Sequence, residues 1–256
     1  MGKIIAVTNQ KGGVGKTTTS VNLAAALAYS QKRVLLVDID PQANATQGIG
    51  INRLNMRGSI YEVIVNEKTV EEVILKSQVP GLDVVPSSID LAGVDIELSE
   101  VKVGRESRLK EQLYRVKNNY DFIIIDCPPS LGVLNTNALT AADTVMIPVQ
   151  CEYYALEGLT QLLSTIRLTQ QVFNPDLTIE GVLLTMLDSR TNLGLEVVED
   201  IRSYFKERVY DTIIPRLVKL SEAPSHGKPI IAYEPQSRGA EAYLNLAKEV
   251  IERNGE

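Results

Sequence analysis

Cysteine is scarce in this chain: Cys127 and Cys151 are the only two in 256 residues. They are too few for a disulfide framework, and a reducing compartment is expected. No apolar run reaches the roughly 18 residues that a membrane-crossing helix needs. The chain opens directly on the apolar stretch Ile4-Ile5-Ala6-Val7, so no signal peptide is expected ahead of it. Basic charge is not in excess either: 26 Lys and Arg stand against 32 Asp and Glu, a net charge of −6. A chain of that sign does not hold nucleic acid by its overall field, and any such role must rest on a local patch. His226 is the only histidine. Set between Pro224 and Pro229, it reads as a loop-ordering hydrogen-bonding group rather than a general base. Internal repeats, linkers and low-complexity tracts are all missing, so residues 1–256 are expected to form a single domain. A hydrophobic content of 44% is enough for one sizeable core.

What is present is concentrated near the start. Asn9-Gln10-Lys11-Gly12-Gly13-Val14-Gly15-Lys16-Thr17-Thr18 follows the first apolar run, and an Ala/Leu-rich stretch, Val21 to Tyr29, reads as a helix beyond it. Strand, glycine turn and helix N-terminus make a phosphate cradle, because backbone N–H groups and the helix dipole both favour an anion there. Lys16 reaches the β- and γ-phosphates in such a loop, and the Thr17 hydroxyl ligates Mg²⁺. The eight-residue pattern usually opens on glycine; here it opens on Gln10, and a second lysine, Lys11, lies inside the loop. Two readings fit Lys11: a solvated loop lysine, or a charge offered to the γ-phosphate bound by a second subunit.

Further apolar runs alternate with helical stretches, which predicts a parallel sheet covered on both faces with its site at the strand C-termini. Val34-Leu35-Leu36-Val37 breaks into Asp38-Ile39-Asp40-Pro41-Gln42, and Phe122-Ile123-Ile124-Ile125 ends in Asp126. Asp38 or Asp40 would then lie beside the phosphate loop, and Asp126 close to the metal. Residues 44–58 read as a glycine-punctuated loop. Short helical patterns follow at Ile60–Ile64 and Val70–Ile74, then a strand at Leu82–Pro86 and a helix over Ile89–Leu98. An amphipathic helix is expected over Arg105–Asn119, with Lys110, Arg115 and Lys117 on its solvated face. Later strands are expected at Thr144–Val149, Ile179–Leu187 and Asp211–Arg216, and helices at Leu156–Phe173 and Ser237–Arg253.

Lys-Gly-Gly-Val-Gly-Lys-Thr, Asp-Ile-Asp-Pro-Gln and Ile-Ile-Ile-Asp-Cys-Pro-Pro-Ser-Leu-Gly together resemble the ParA/MinD superfamily of deviant Walker A ATPases, over essentially the whole chain. The resemblance implies an α/β P-loop NTPase with a mostly parallel twisted sheet of about seven to eight strands. It implies ATP and Mg²⁺ as cofactors, with Lys11, Gly12, Gly13, Val14, Gly15, Lys16, Thr17 and Thr18 around the nucleotide. Thr17 and Asp126 would hold the metal, and Pro215 and Leu217 would lie against the adenine. Lys11, Lys16 and Asp40 are the expected catalytic residues, with Asp40 preferred over Asp38. Lys11 would cross to the partner's nucleotide in an ATP-bound homodimer, where Gly12 lies between the two loops.

Between Ile201 and Ile230 six basic residues meet three acidic ones, so positive charge gathers in the last third of the chain. Non-specific contacts to double-stranded DNA are expected from Arg190, Arg216 and Lys219, and from Arg202, Lys206 and Arg208, with Arg202 and Lys206 as i, i+4 neighbours on one helix. The resemblance favours the ParA/Soj-type branch, a chromosome- or plasmid-partitioning ATPase of the cytoplasm and nucleoid, stimulated by a ParB-type centromere-binding protein. The alternative is a MinD-like membrane-associated positioning ATPase. That reading wants a basic amphipathic C-terminal helix, whereas Glu241, Glu249, Glu252 and Glu256 make this end acidic. Cluster ligation by Cys127 and Cys151, as in a nitrogenase-iron-protein-like chain, and ligase chemistry on a small substrate, as in related amidoligases, are the weaker readings.

Overall fold

The computed structural model describes residues 2–52, 56–101, 103–152 and 157–255. Eight strands form one sheet in the order β3-β4-β2-β5-β1-β6-β7-β8: β1 Lys3–Val7, β2 Val34–Asp38, β3 Leu75–Lys76, β4 Leu82–Val85, β5 Phe122–Asp126, β6 Thr144–Gln150, β7 Thr178–Leu187 and β8 Val209–Pro215. All pairings are parallel except that of β3 with β4. The helices are α1 Lys16–Tyr29, α2 Asn44–Gly48, α3 Ile60–Ile64, α4 Val70–Val73, α5 Val94–Glu97, α6 Arg108–Val116, α7 Val133–Ala141, α8 Glu157–Val172, α9 Asn192–Phe205, α10 Val218–Glu222, α11 Ile230–Tyr233 and α12 Arg238–Arg253.

The unbroken apolar runs are explained by burial on both faces. Ile4 and Ala6 of β1 and Ile123 and Ile125 of β5 join the core under α3, α6 and α7. Their alternates, Ile5, Val7, Phe122 and Ile124, join the core beneath α1 and α12. The apolar side of α12, formed by Tyr243, Leu246, Ala247 and Val250, is buried in that second core.

Several expectations change in detail. Residues 44–48 are a short helix rather than loop, and Ile89–Glu100 splits into a 3₁₀ turn, α5 and a second 3₁₀ turn. The expected first residue of α8, Leu156, lies outside the described residues. Lys117 is not on a solvated face. Its side chain is 7% exposed, and its Nζ donates to Asp143 Oδ1 at 2.7 Å. His226 stacks on the Tyr233 ring, with centroids 4.9 Å apart. Both cysteines are buried in the apolar core.

Candidate nucleotide site at the strand ends

Register places the chemistry. Asp38 and Asp126 are paired positions on β2 and β5, and Val7 of β1 lies opposite Asp126 on the other side. The loop 8–15 rises from β1 into α1, turning through Gly13 (φ 75°) and Gly15 (φ 89°), a region where a Cβ is strained. Asn9 ties the loop down: its Nδ2 donates to Pro148 O at 2.8 Å, and its Oδ1 accepts from Lys11 N at 3.0 Å. Thr185 Oγ1 donates to Val14 O at 2.8 Å from β7. Lys16 Nζ folds back on the loop and donates to Lys11 O at 3.1 Å. Burial lowers the pKa of Lys16, against the charges of Asp126, Cys127 and Asp40, which raise it.

The two strand-end carboxylates are fully buried and treated differently. Asp38 accepts from Thr46 N (2.8 Å), Thr46 Oγ1 (2.7 Å) and Asp40 N (3.1 Å), so it organises the turn that follows. Burial pushes its pKa up to about 6 in spite of those bonds. Asp126 Oδ1 accepts from Ser20 Oγ at 2.8 Å, and the nearby Thr17 hydroxyl also favours its charged form, while its Oδ2 is buried with no partner at hydrogen-bonding distance among the described residues. Burial, and then the charge of Asp38, raise Asp126 to about 8. Asp40 is 7% exposed; its Oδ1 accepts from Gln42 N at 2.9 Å, and its backbone carbonyl accepts from Ser87 Oγ at 2.6 Å. Thr46, Ser20, Ser87 and Thr185 belong to this arrangement although no sequence motif picks them out. Only Ser20 carried a usable signal, being one helical turn beyond Lys16.

A cavity of about 310 Å³ opens beside the loop, lined among others by Gly15, Thr18, Met186, Pro215, Leu217 and Tyr243. Pro215 and Leu217 therefore stand next to the loop. Gly12 and Lys11 are at its outer edge: a Cβ on Gly12 would meet nothing within 4 Å.

The six basic residues do not gather into one patch. Arg190, Arg216 and Lys219 follow the C-terminal ends of β7 and β8, at the loop's end of the sheet. Each is held by an acid: Arg190 by Asp188 (2.6 Å), Arg216 by Glu152 (3.0 Å) and Lys219 by Glu222 (3.0 Å). Arg190 draws Asp188 down to about 2. Arg202, Lys206 and Arg208 lie instead at the end of α9 and before β8, at the opposite end of the sheet. Lys206 does not continue the face of Arg202 either, because α9 stops at Phe205 and Lys206 turns to φ 52°.

Strand, phosphate-type loop, helix and two strand-end aspartates on a parallel sheet define a P-loop nucleotide-binding protein. A family model described as an AAA domain matches residues 2–179. The chain is 65% identical to the sporulation initiation inhibitor protein Soj of Bacillus subtilis over 98% of both chains. It is 54% identical to the chromosome partitioning protein ParA of Myxococcus xanthus, over 99% of this chain and 89% of that one. Among solved structures it is similar to cobyrinic acid a,c-diamide synthase from Mycobacterium smegmatis, crystallised with an ATP analog and magnesium. That match has a TM-score of 0.84 and 39% identity over 97% of this chain and 93% of the other. The chain belongs to the ParA/Soj family of chromosome-partitioning ATPases.

Proposed function

We propose that the chain works as one domain that binds ATP and Mg²⁺, closes into a homodimer on them, lies on double-stranded DNA without reading its sequence, and moves a chromosome or plasmid with a ParB-type partner. The observation that carries the nucleotide half is the partnerless, buried Oδ2 of Asp126 beside Lys16. A buried carboxylate oxygen left unpaired is costly, and a cation is the partner that its position invites. Thr17, at the start of α1, and Asp126 would hold that cation, and Lys11–Thr18 would surround the phosphates. Bound magnesium supplies neutralisation of phosphate charge.

The chain's own groups then divide the work. Lys16 leaves the Lys11 carbonyl for a phosphate oxygen. Asp40, positioned by Gln42 N and Ser87, places the attacking water. Pro215 and Leu217 face the base from the neighbouring cavity. Lys11 has no ion-pair partner among the described residues, and the open space at Gly12 leaves room for the loop of a second copy. Arg190, Arg216 and Lys219 share the sheet end with that loop, so pairing two copies doubles a positive track that is weak in one. The apolar face of α12 is already committed to the core, which argues against a MinD-like use of that helix on a membrane. No described helix is long and apolar enough to cross one.

The test is DNA retardation with ATP and with ADP across a salt series. Retardation with ATP that weakens steeply with salt is expected; equal retardation in both nucleotides would overturn the switch. Turnover that required an amide donor and a small carboxylate substrate would favour ligase chemistry instead.

A further inference from the structure

The lower basic group has surroundings of its own. A cleft of about 400 Å³ opens between α8 and α9 over the N-terminal end of β7. Helix α8 lines it with Leu163, Ile166, Arg167 and Gln170, the i, i+3, i+4, i+7 spacing of a single helix face. The end of α9 and the turn beyond add Tyr204, Phe205 and Arg208. Ile166 and Phe205 are buried at its base, and the half-buried Leu163 and Ile179 beside them give the cleft an apolar strip along its floor. Tyr204 stands over it, 66% exposed, with its ring edge-on to Phe205 at 4.8 Å. No carboxylate lines the cleft. The guanidinium groups of Arg167 and Arg208 make no hydrogen bond or ion pair among the described residues, unlike the charged groups of Arg190, Arg216 and Lys219.

An apolar floor with two uncompensated guanidinium groups and a tyrosine at its rim has the composition of a protein-binding hot spot. We propose that this cleft receives a short acidic segment of a partner protein, one apolar side chain entering the floor and flanking carboxylates meeting Arg167 and Arg208. Guanidinium groups suit carboxylates because they pair with them in a two-pronged geometry. A DNA duplex fits less well: it is convex, has nothing apolar to place in a concave floor, and gains little from Ile166 or Phe205. The cleft also lies about 30 Å from the loop end, the length of β7. It is therefore separate from the nucleotide site, and its occupant is not the ATP-dependent DNA track.

Random peptides displayed on phage and selected on the full chain are the probe. Selected sequences are expected to carry Asp or Glu beside Leu or Phe. A labelled selected peptide should lose about tenfold or more in affinity on Arg167→Glu and severalfold on Tyr204→Ala, with ATP turnover of both variants unchanged. A version of the peptide with lysine in place of its acids should regain binding to Arg167→Glu. Selection of sequences without acids, or unchanged affinity for Arg167→Glu, would overturn the proposal. So would loss of DNA retardation in that variant with peptide binding intact, which would make the cleft a nucleic-acid surface.

Discussion

Strand β5 is bracketed by two aspartates that the fold treats in opposite ways. Asp121, just before the strand, accepts from Arg33 Nη2 at 2.6 Å and from Arg33 N at 2.7 Å, and its pKa is held below the ordinary carboxylate range. Asp126, at the far end, is buried, half-satisfied and pushed up to about 8. The first closes the structure on itself. The second leaves a deficit that a cation can fill, so the same strand is stitched shut at one end and left chemically open at the other.

The largest expected effect from breaking the open end is Lys16→Ala, which should abolish nucleotide binding measured by calorimetry. Asp126→Asn comes next, with turnover falling steeply because a carboxylate that would hold the metal is gone. That variant also sharpens the comparison through pH. Asp38 and Asp126 hold protons to higher pH in the folded chain than in the unfolded one, where they titrate near 3.8. The unfolded state therefore binds fewer protons above that value, and stability of the nucleotide-free chain falls as pH rises through about 6 and about 8. Asp126→Asn should flatten the upper part of that slope and melt higher than the parent at pH 8.5. An unchanged slope in thermal melts would show that the carboxyl is not strained.

The closed end predicts the reverse. Removing Lys117 by Lys117→Met leaves Asp143 Oδ1 without its lysine. Asp143 keeps 28% side-chain exposure, so the cost should be about 2 kcal/mol, below the 3–5 of a fully buried pair. Nucleotide affinity should not change, and urea melts paired with calorimetry check both halves. Arg33→Ala breaks a more exposed pair and should cost under about 1 kcal/mol. Its contribution is present at neutral pH and lost as pH falls through the lowered pKa of Asp121, opposite in sign to Asp126. At the loop end, Arg190→Glu should weaken DNA binding and lower the salt slope by about 1 with turnover intact; retardation gels across salt measure it.

The longer strands and the loop were legible because burial on both faces writes continuous apolar runs, and the glycine turn writes its own conformation. What escaped reading depended on distant partners. Lys117 looks solvated in its helix, yet it is buried between the Tyr114 ring and Asp143, 26 positions on. Leu75–Lys76 is too short to carry a strand pattern and exists by pairing with β4. The basic residues of the last third looked like one patch because they are close in sequence. Strand β8 runs between them and carries Arg208 and Arg216 to opposite ends of the sheet. The partners of Asp38 and Asp126, Thr46 and Ser20, are ordinary hydroxyls until the fold sets them against a carboxylate.

Sedimentation velocity of Asp40→Ala with saturating ATP and Mg²⁺, beside the same protein with ADP, tests the open end most directly. A dimer with ATP and a monomer with ADP is the expected result. Monomers in both would mean that the strand-end site does not hold two copies together, and the account of this protein as a nucleotide-closed clamp would fail.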